Sequence, residues 1–141
     1  MMIKTVAYTE ASPAIRAIRT QVFQLEQGVD PAIEVDGLDE VAYHLLAIQD
    51  DRVIGTTRVR LLNDRIAKIE RVAVLADYRK RGFGKKLMET AIALVRDKKV
   101  PEVKLNAQVH ARSFYEKLGF RQWSEEFQEA GISHIEMRRR V

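Results

Sequence analysis

Cysteine is absent from the 141-residue chain, which excludes a disulfide framework, a thiolate metal site and covalent catalysis through a thiol. No run of residues approaches the roughly 20 apolar positions that a membrane-spanning helix requires. The opening stretch MMIKTVAYTEASPAI has no apolar h-region, so a cytoplasmic protein without a membrane partner is expected. The three histidines, His44, His110 and His134, form no pair at metal-ligand spacing, and no metal is expected. Internal repeats and low-complexity tracts are missing. Residues 26–40 contain no Lys or Arg, but six acids.

What is present fits one globular domain over residues 1–141. Its hydrophobic content is 46% and its charged content 31%, ordinary for a chain long enough to bury one core. The net charge of +4 is unevenly spread: residues 1–50 carry three basic side chains against eight acids, and residues 51–141 carry 21 against 12. The cations crowd at residues 79–86 and 138–140. A basic nucleic-acid-binding protein is one reading of that crowding. No RNP-like aromatic motif, finger or helix-turn-helix spacing accompanies it, so no nucleic-acid partner is expected.

The stretch RVAVLADYRKRGFGKKL at residues 71–87 joins a short β-branched run to an amphipathic helical pattern through a basic turn. The N–H groups at a helix start lack intrahelical partners and carry the positive end of the peptide dipoles, so they receive anions. Gly82 and Gly84 let the backbone approach a ligand. Arg79, Lys80, Arg81 and Lys85 surround the same point with charge suited to phosphate. The spacing matches neither GxxxxGK[ST] nor GxGxxG. Downstream, VKLNAQVHARSFYEKLGF at residues 103–120 reads as a second strand, a short helix holding Phe114 and Tyr115, and Gly119 closing it.

Together the two segments resemble the GNAT superfamily of acetyl-CoA-dependent N-acetyltransferases. The family's (Q/R)xxGx(G/A) motif is matched at Arg79, Gly82 and Gly84, and its A-x-x-(F/L)-Y-x-x-x-G-F ending at Ala111, Phe114, Tyr115, Gly119 and Phe120. The resemblance covers residues 3–138. It implies an α/β fold with one mixed, mostly antiparallel sheet, helices on both faces, and two central parallel strands that splay apart. It also implies acetyl-CoA as cosubstrate, with the pyrophosphate on the amides of Arg81, Gly82, Phe83, Gly84 and Lys85 and the pantetheine arm along Val72 and Val74. With no thiol nucleophile, the acetyl group would pass directly to an amine in a ternary complex.

The family's general-acid position is Tyr115; the alternative is a core tyrosine beside Phe114 and Leu118. Glu70, two residues before Val72, would share its strand face and act as base on an incoming ammonium. The alternative is a carboxylate paired with a neighbouring Lys or Arg. Gln108 stands where many members have Asn, seven residues before the tyrosine, and keeps an amide for the pantetheine arm. The acidic stretch matches the family's acceptor side, so Glu34 and Asp36 are expected to attract a small-molecule or lysine-like amine. A non-catalytic acyl-CoA-binding module is the second reading.

Residues 3–8 predict a first strand. Ser12 as N-cap and Pro13 at N1 predict a helix burying Ile15, Ile18, Val22 and Leu25. Residues 26–40 read as loop with a helical turn. Residues 44–49, 53–61 and 67–75 predict a meander. The helix after Gly84 is expected to bury Leu87, Ala91, Leu94 and Val95 and to end near Lys98. Residues 122–129 and 134–138 predict a hairpin about Gly131, a candidate surface for pairing two copies.

Overall fold

Asp50 and Asp51 both take positive φ, 51° and 58°, the backbone of a two-residue hairpin turn that matches the twist of its strands. They join strand β2 (Tyr43–Gln49) to β3 (Arg52–Leu61), which passes through Asn63 into β4 (Ile66–Val74). Asn63 Oδ1 accepts hydrogen bonds from the N–H groups of Arg65 and Ile66 at 2.8 and 3.0 Å, the local bonding that makes Asn a turn residue. The expected meander is therefore present, with β1 (Met2–Ala7) added at its outer edge. The structure, a computed structural model, describes every residue from Met1 to Val141.

Beyond β4 the sheet continues through β5 (Glu102–Gln108), β8 (Ile132–Arg140) and the short β6 (Arg121–Gln122), while β7 (Phe127–Glu129) also pairs with β8. Only β4 and β5 run parallel; the remaining pairs are antiparallel. The mixed, mostly antiparallel sheet is as expected. The predicted last hairpin turns at Ala130 and Gly131, with φ of 53° and 76°. Its first arm is broken into β6 and β7.

Helix α3 (Phe83–Asp97) covers one face of the sheet. Its buried Phe83, Leu87, Met88, Ala91, Ile92 and Val95 meet Leu45, Ile54, Val59, Ile69 and Leu105 in the main core. Leu94 packs only at the margin. Fully burying one such leucine contributes about 1.5–3 kcal/mol. Helix α1 (Tyr8–Arg19) covers the opposite face, where Ile15 meets Val6 and Leu46, and Ile18 and Val22 meet Ala73. Ala11, at φ −143°, interrupts α1 just before Pro13, whose missing N–H and ring are tolerated only in a first helical turn.

After Arg19 the winding loosens into a π-helical stretch, Thr20–Glu26, in which the Gln27 N–H reaches the Val22 carbonyl at 3.2 Å. The wider turn corrects the expected stripe: Leu25 is 70% exposed, and Glu26 and Gln27 line the cleft between β4 and β5. The acidic stretch contains α2 (Pro31–Glu34), capped by Asp30 Oδ1 accepting from the Ala32 N–H at 2.9 Å. The last helix, α4 (Arg112–Glu116), follows β5 through a 3-10 turn.

Candidate active site

β4 and β5 pair over only three residues: Ile66 with Glu102, Ala67 with Val103 and Lys68 with Lys104. β4 then stays with β3 as far as Val74, and β5 with β8 as far as Gln108. The strands therefore part, and a cleft of about 820 Å³ opens between them. Val72 and Val74 lie along it, as expected, and Tyr115, Gln108, Arg79, Glu34 and Asp36 also line it.

The cleft wall carries a β-bulge. Glu70 pairs with Arg58 and Ala73 with Thr56, so Arg71 and Val72 together oppose Thr57, and Arg71 takes φ 53°. A bulge reverses the in–out alternation of a strand. Val72 and Val74 pack against the main core, whereas Ala73 packs against Ile18 and Val22 on the α1 side.

This corrects the expectation for Glu70, which does not share a face with Val72. Its carboxylate is bound by Arg58 Nε at 2.6 Å, Arg60 Nη2 at 2.8 Å and Lys68 Nζ at 3.3 Å. Burial opposes ionisation there, but the three cations outweigh it and hold the pKa at about 2. A carboxylate held so firmly ionised is a poor proton acceptor, so Glu70 is a structural group here. Asp36 is likewise taken up by Arg58 at 2.7 and 2.9 Å and by Arg71 at 3.3 Å, and its pKa is strongly depressed, chiefly by the Arg58 hydrogen bonds. The acidic stretch is thus largely neutralised, with Asp39 on Arg19 and Arg58 and Glu26 on Arg79. Glu34 differs: its buried Oε1 has no hydrogen-bond partner and lies 3.9 Å from Arg19 Nε.

A pH dependence of stability follows from these pKa values. Both folded pKa values lie below those of the unfolded chain, so the stabilisation is complete above pH 4.5, the ordinary value for Glu70, and is lost as pH falls toward about 2. Thermal melts across that window should show a falling Tm, with a shallower slope in Glu70→Gln. An equal slope would remove Glu70 from the account.

Just past Arg79, which lines the cleft, Lys80 and Gly82 take φ of 62° and 86°, and Gly82 caps α3. Nothing lies within 4 Å of where a Gly82 Cβ would project, while one at Gly84 would touch the Phe114 ring at 3.5 Å. The turn thus presents the amides at the start of a 15-residue helix toward open space, a fit for the pyrophosphate of acetyl-CoA. The basic side chains are placed less uniformly than expected. Arg79 spans the cleft mouth to Glu26, with Nη2 on Oε1 at 2.8 Å, and donates Nε to the Val74 carbonyl at 2.9 Å. Arg81 stacks over Tyr78 at 5.4 Å, Lys80 is exposed, and the Phe83 side chain is core, leaving only its backbone for a ligand. Lys85 lines a different groove.

That groove, about 1200 Å³, runs along α3 to Arg138, Arg139 and Arg140. It is larger than the cleft, but it holds neither Val72 nor Tyr115, and seven of its thirteen lining residues are cations. We place the chemistry in the cleft for that reason.

Tyr115 projects from α4 between Phe114 and Phe120, edge-on to both at 5.0 and 6.0 Å. Burial pushes its phenol up to about 12, so it stays protonated. Gln108 is committed within the protein: its Nε2 donates to Gln27 Oε1 at 2.9 Å, and its Oε1 accepts from His110 Nε2 at 2.6 Å. A pantetheine contact there would have to displace one of these bonds. His44 is a core residue, fully buried, with Nε2 donating to the Asp39 carbonyl at 2.8 Å. His134, Glu129 and Asn106 line the cleft on the β5–β8 side. The sequence singles out none of Asn106, Glu129, Gln27 and Arg58; His134 appears there only as one of three scattered histidines and Glu26 only as part of the acidic stretch.

No group of three or more His, Cys, Asp or Glu is placed to hold a metal ion, and no helix is long and apolar enough to cross a membrane. The acetyltransferase (GNAT) domain profile matches residues 9–141. The uncharacterized N-acetyltransferase YjcF of Bacillus subtilis is 36% identical over 121 residues, covering 85% of this chain and 86% of that protein. The crystal structure of an acyl-CoA N-acyltransferase from Pseudomonas aeruginosa is 32% identical with a TM-score of 0.85, covering 99% of both chains. A GNAT family acetyltransferase from Elizabethkingia anophelis, solved with acetyl-CoA bound, shares the fold at a TM-score of 0.76 and 18% identity, covering 99% of this chain and 98% of that one. A parted pair of parallel strands, a glycine-capped helix start beside it and these matches over nearly the whole chain have one common account: the protein belongs to the GNAT family of acetyltransferases.

Proposed function

We propose that the protein transfers an acetyl group from acetyl-CoA to a primary amine by direct attack within a ternary complex. The observation that carries this reading is the cleft between β4 and β5, which has Val72, Val74, Arg79 and Tyr115 among its lining residues, with the Gly82 cap of α3 three residues beyond Arg79. The amides at the start of α3 would hold the pyrophosphate, and the edge of β4 at Val72 and Val74 would align the pantetheine arm. Bound there, acetyl-CoA supplies the activated acyl group. Tyr115 holds the proton that the departing sulfur needs. No cysteine exists to carry the acetyl group between two half-reactions. Glu34, with its unpartnered buried oxygen, is the acid of the expected pair that we assign to attracting a cationic, small-molecule or lysine-like acceptor; Asp36 is spent on its arginines. The cytoplasm, where acetyl-CoA is available, is the compartment this reading implies.

Thermal melting tests the donor site first. Acetyl-CoA at about 100 times Kd should add about 2.7 kcal/mol of stability, and adenosine 3′,5′-bisphosphate, which lacks the pantetheine arm, should add less. Gly82→Val should abolish the shift, because φ 86° strains a β-branched residue and its side chain would enter the ligand's space. A folded wild-type protein that acetyl-CoA does not stabilise would sink the proposal. Amines are then screened by thiol release, which a cysteine-free protein does not contaminate.

A further inference from the structure

On the β8 wall of the cleft, the His134 imidazole faces the Glu129 carboxylate. His134 is 6% exposed, and its Nδ1 lies 2.7 Å from the Ile132 carbonyl oxygen. A carbonyl can only accept, so Nδ1 carries the hydrogen, and in the neutral ring Nε2 carries a lone pair. Nε2 lies 3.6 Å from Glu129 Oε2, beyond hydrogen-bond length. Asn106 Nδ2 donates to the other oxygen of Glu129 at 3.2 Å, and Phe127 stacks on the imidazole at 6.1 Å with a 24° tilt. Ring, tautomer and carboxylate are each held by a separate neighbour.

We propose that His134 Nε2 and Glu129 Oε2 form the seat for the acceptor's ammonium, and that His134 is the general base of acetyl transfer. The inference rests on the acetyltransferase reading above and names the base that Glu70 cannot be. Two acceptors 3.6 Å apart can each take a hydrogen bond from one ammonium nitrogen, which resolves the repulsion between their lone pairs. The Glu129 carboxylate, 46% exposed at its side chain, draws the cation in. The ammonium first yields one proton to His134 Nε2, which passes it to solvent and frees the nitrogen lone pair; the neutral amine then attacks the thioester carbonyl, its acidity rises, and His134 Nε2 takes the second proton. The C–N bond forms, the C–S bond breaks, and the sulfur leaves with the proton held by Tyr115. The proton on His134 passes to solvent and the Tyr115 phenolate is reprotonated from it. Glu129 is the charged group that His134 Nε2 meets; Glu136 shares its face of β8 and is bound by Arg138, β5 presents the neutral Asn106 and Gln108, and Tyr115, His110, Arg60, Lys68 and Glu70 are among the other titratable groups that line the cleft.

The tautomer is read without turnover. With only three histidines in the chain, nitrogen NMR of the free protein resolves the ring of His134 against a His134→Gln reference. At pH 8 we expect Nδ1 protonated and Nε2 unprotonated; a doubly protonated ring or the opposite tautomer overturns the proposal. The second readout is kinetic, using the amine found by thiol release. His134→Gln should lower kcat by about 10²- to 10⁴-fold and remove the acidic limb of the pH–rate profile, with the acetyl-CoA-induced melting shift unchanged. Glu129→Gln should raise KM for the amine more than it lowers kcat. A His134→Gln enzyme with wild-type rate and profile overturns the base assignment and leaves the acetyltransferase reading standing. A wild-type protein that acetyl-CoA does not stabilise overturns both.

Discussion

Tyr115→Phe is expected to lower kcat for thiol release by about 10²- to 10⁴-fold, the range for loss of a positioned acid, with acetyl-CoA binding and Tm unchanged. The ring is held edge-on between Phe114 and Phe120, and phenylalanine keeps that packing, so the substitution removes only the hydroxyl. Burial alone pushes the phenol to about 12, above an ordinary thiol at about 8.5, which by itself would make transfer to sulfur uphill. The same dry environment acts on the thiolate, because desolvation penalises every anion and raises the proton affinity of both partners together. The phenol therefore remains a matched donor. Equal activity of the variant would return Tyr115 to the core. Loss of acetyl-CoA binding along with turnover would show that the hydroxyl supports the ligand and not the leaving group.

Local signals carried much of the fold and the proposed donor end of the candidate site. The Gly82 turn and the strand and helix that flank it are decided within a few residues: a β-branched run, a position needing positive φ and an apolar stripe at helical spacing. Tyr115 was readable because its short helix follows directly from β5. The acceptor side was not readable in the same way. A single extra residue at Arg71 reverses the parity of β4, and nothing in the string ERVAV marks where a bulge falls. The π-helical stretch after Arg19 exchanges Leu25 for Glu26 and Gln27 by a change of winding that the apolar spacing does not announce. Arg79 joins Glu26 across 53 positions, and Arg58 joins Asp36 across 22. Pairings of that range belong to the tertiary fold, which is why six acids without a nearby cation read as a stretch open to an amine and turned out to be largely satisfied by arginines from other elements.

Arg58→Ala is expected to cost about 3–5 kcal/mol, the range for removing one partner of a buried ion cluster, and so a large share of the roughly 5–15 kcal/mol that holds a domain together. Arg58 is fully buried in β3 and donates to Glu70 at 2.6 Å, to Asp36 at 2.7 and 2.9 Å and to Asp39 at 3.1 Å. Without it these carboxylates are left close to one another, with Arg60, Lys68, Arg71 and Arg19 reaching only part of the set. Their charge repels, and α2 with the rest of the acidic stretch loses its anchor to the sheet. The sign of the pH effect then inverts locally: the variant's carboxylates regain protons more readily, so the gap between wild type and Arg58→Ala should narrow as pH is lowered from 7 toward 4.5. Adding Asp36→Asn to Arg58→Ala should recover part of the loss, because the two residues share one network and their effects do not add. Denaturant unfolding of the two single variants and the double variant at both pH values decides the matter. Additive losses with no pH dependence would mean that the network is held by packing of its aliphatic stems and not by its charges.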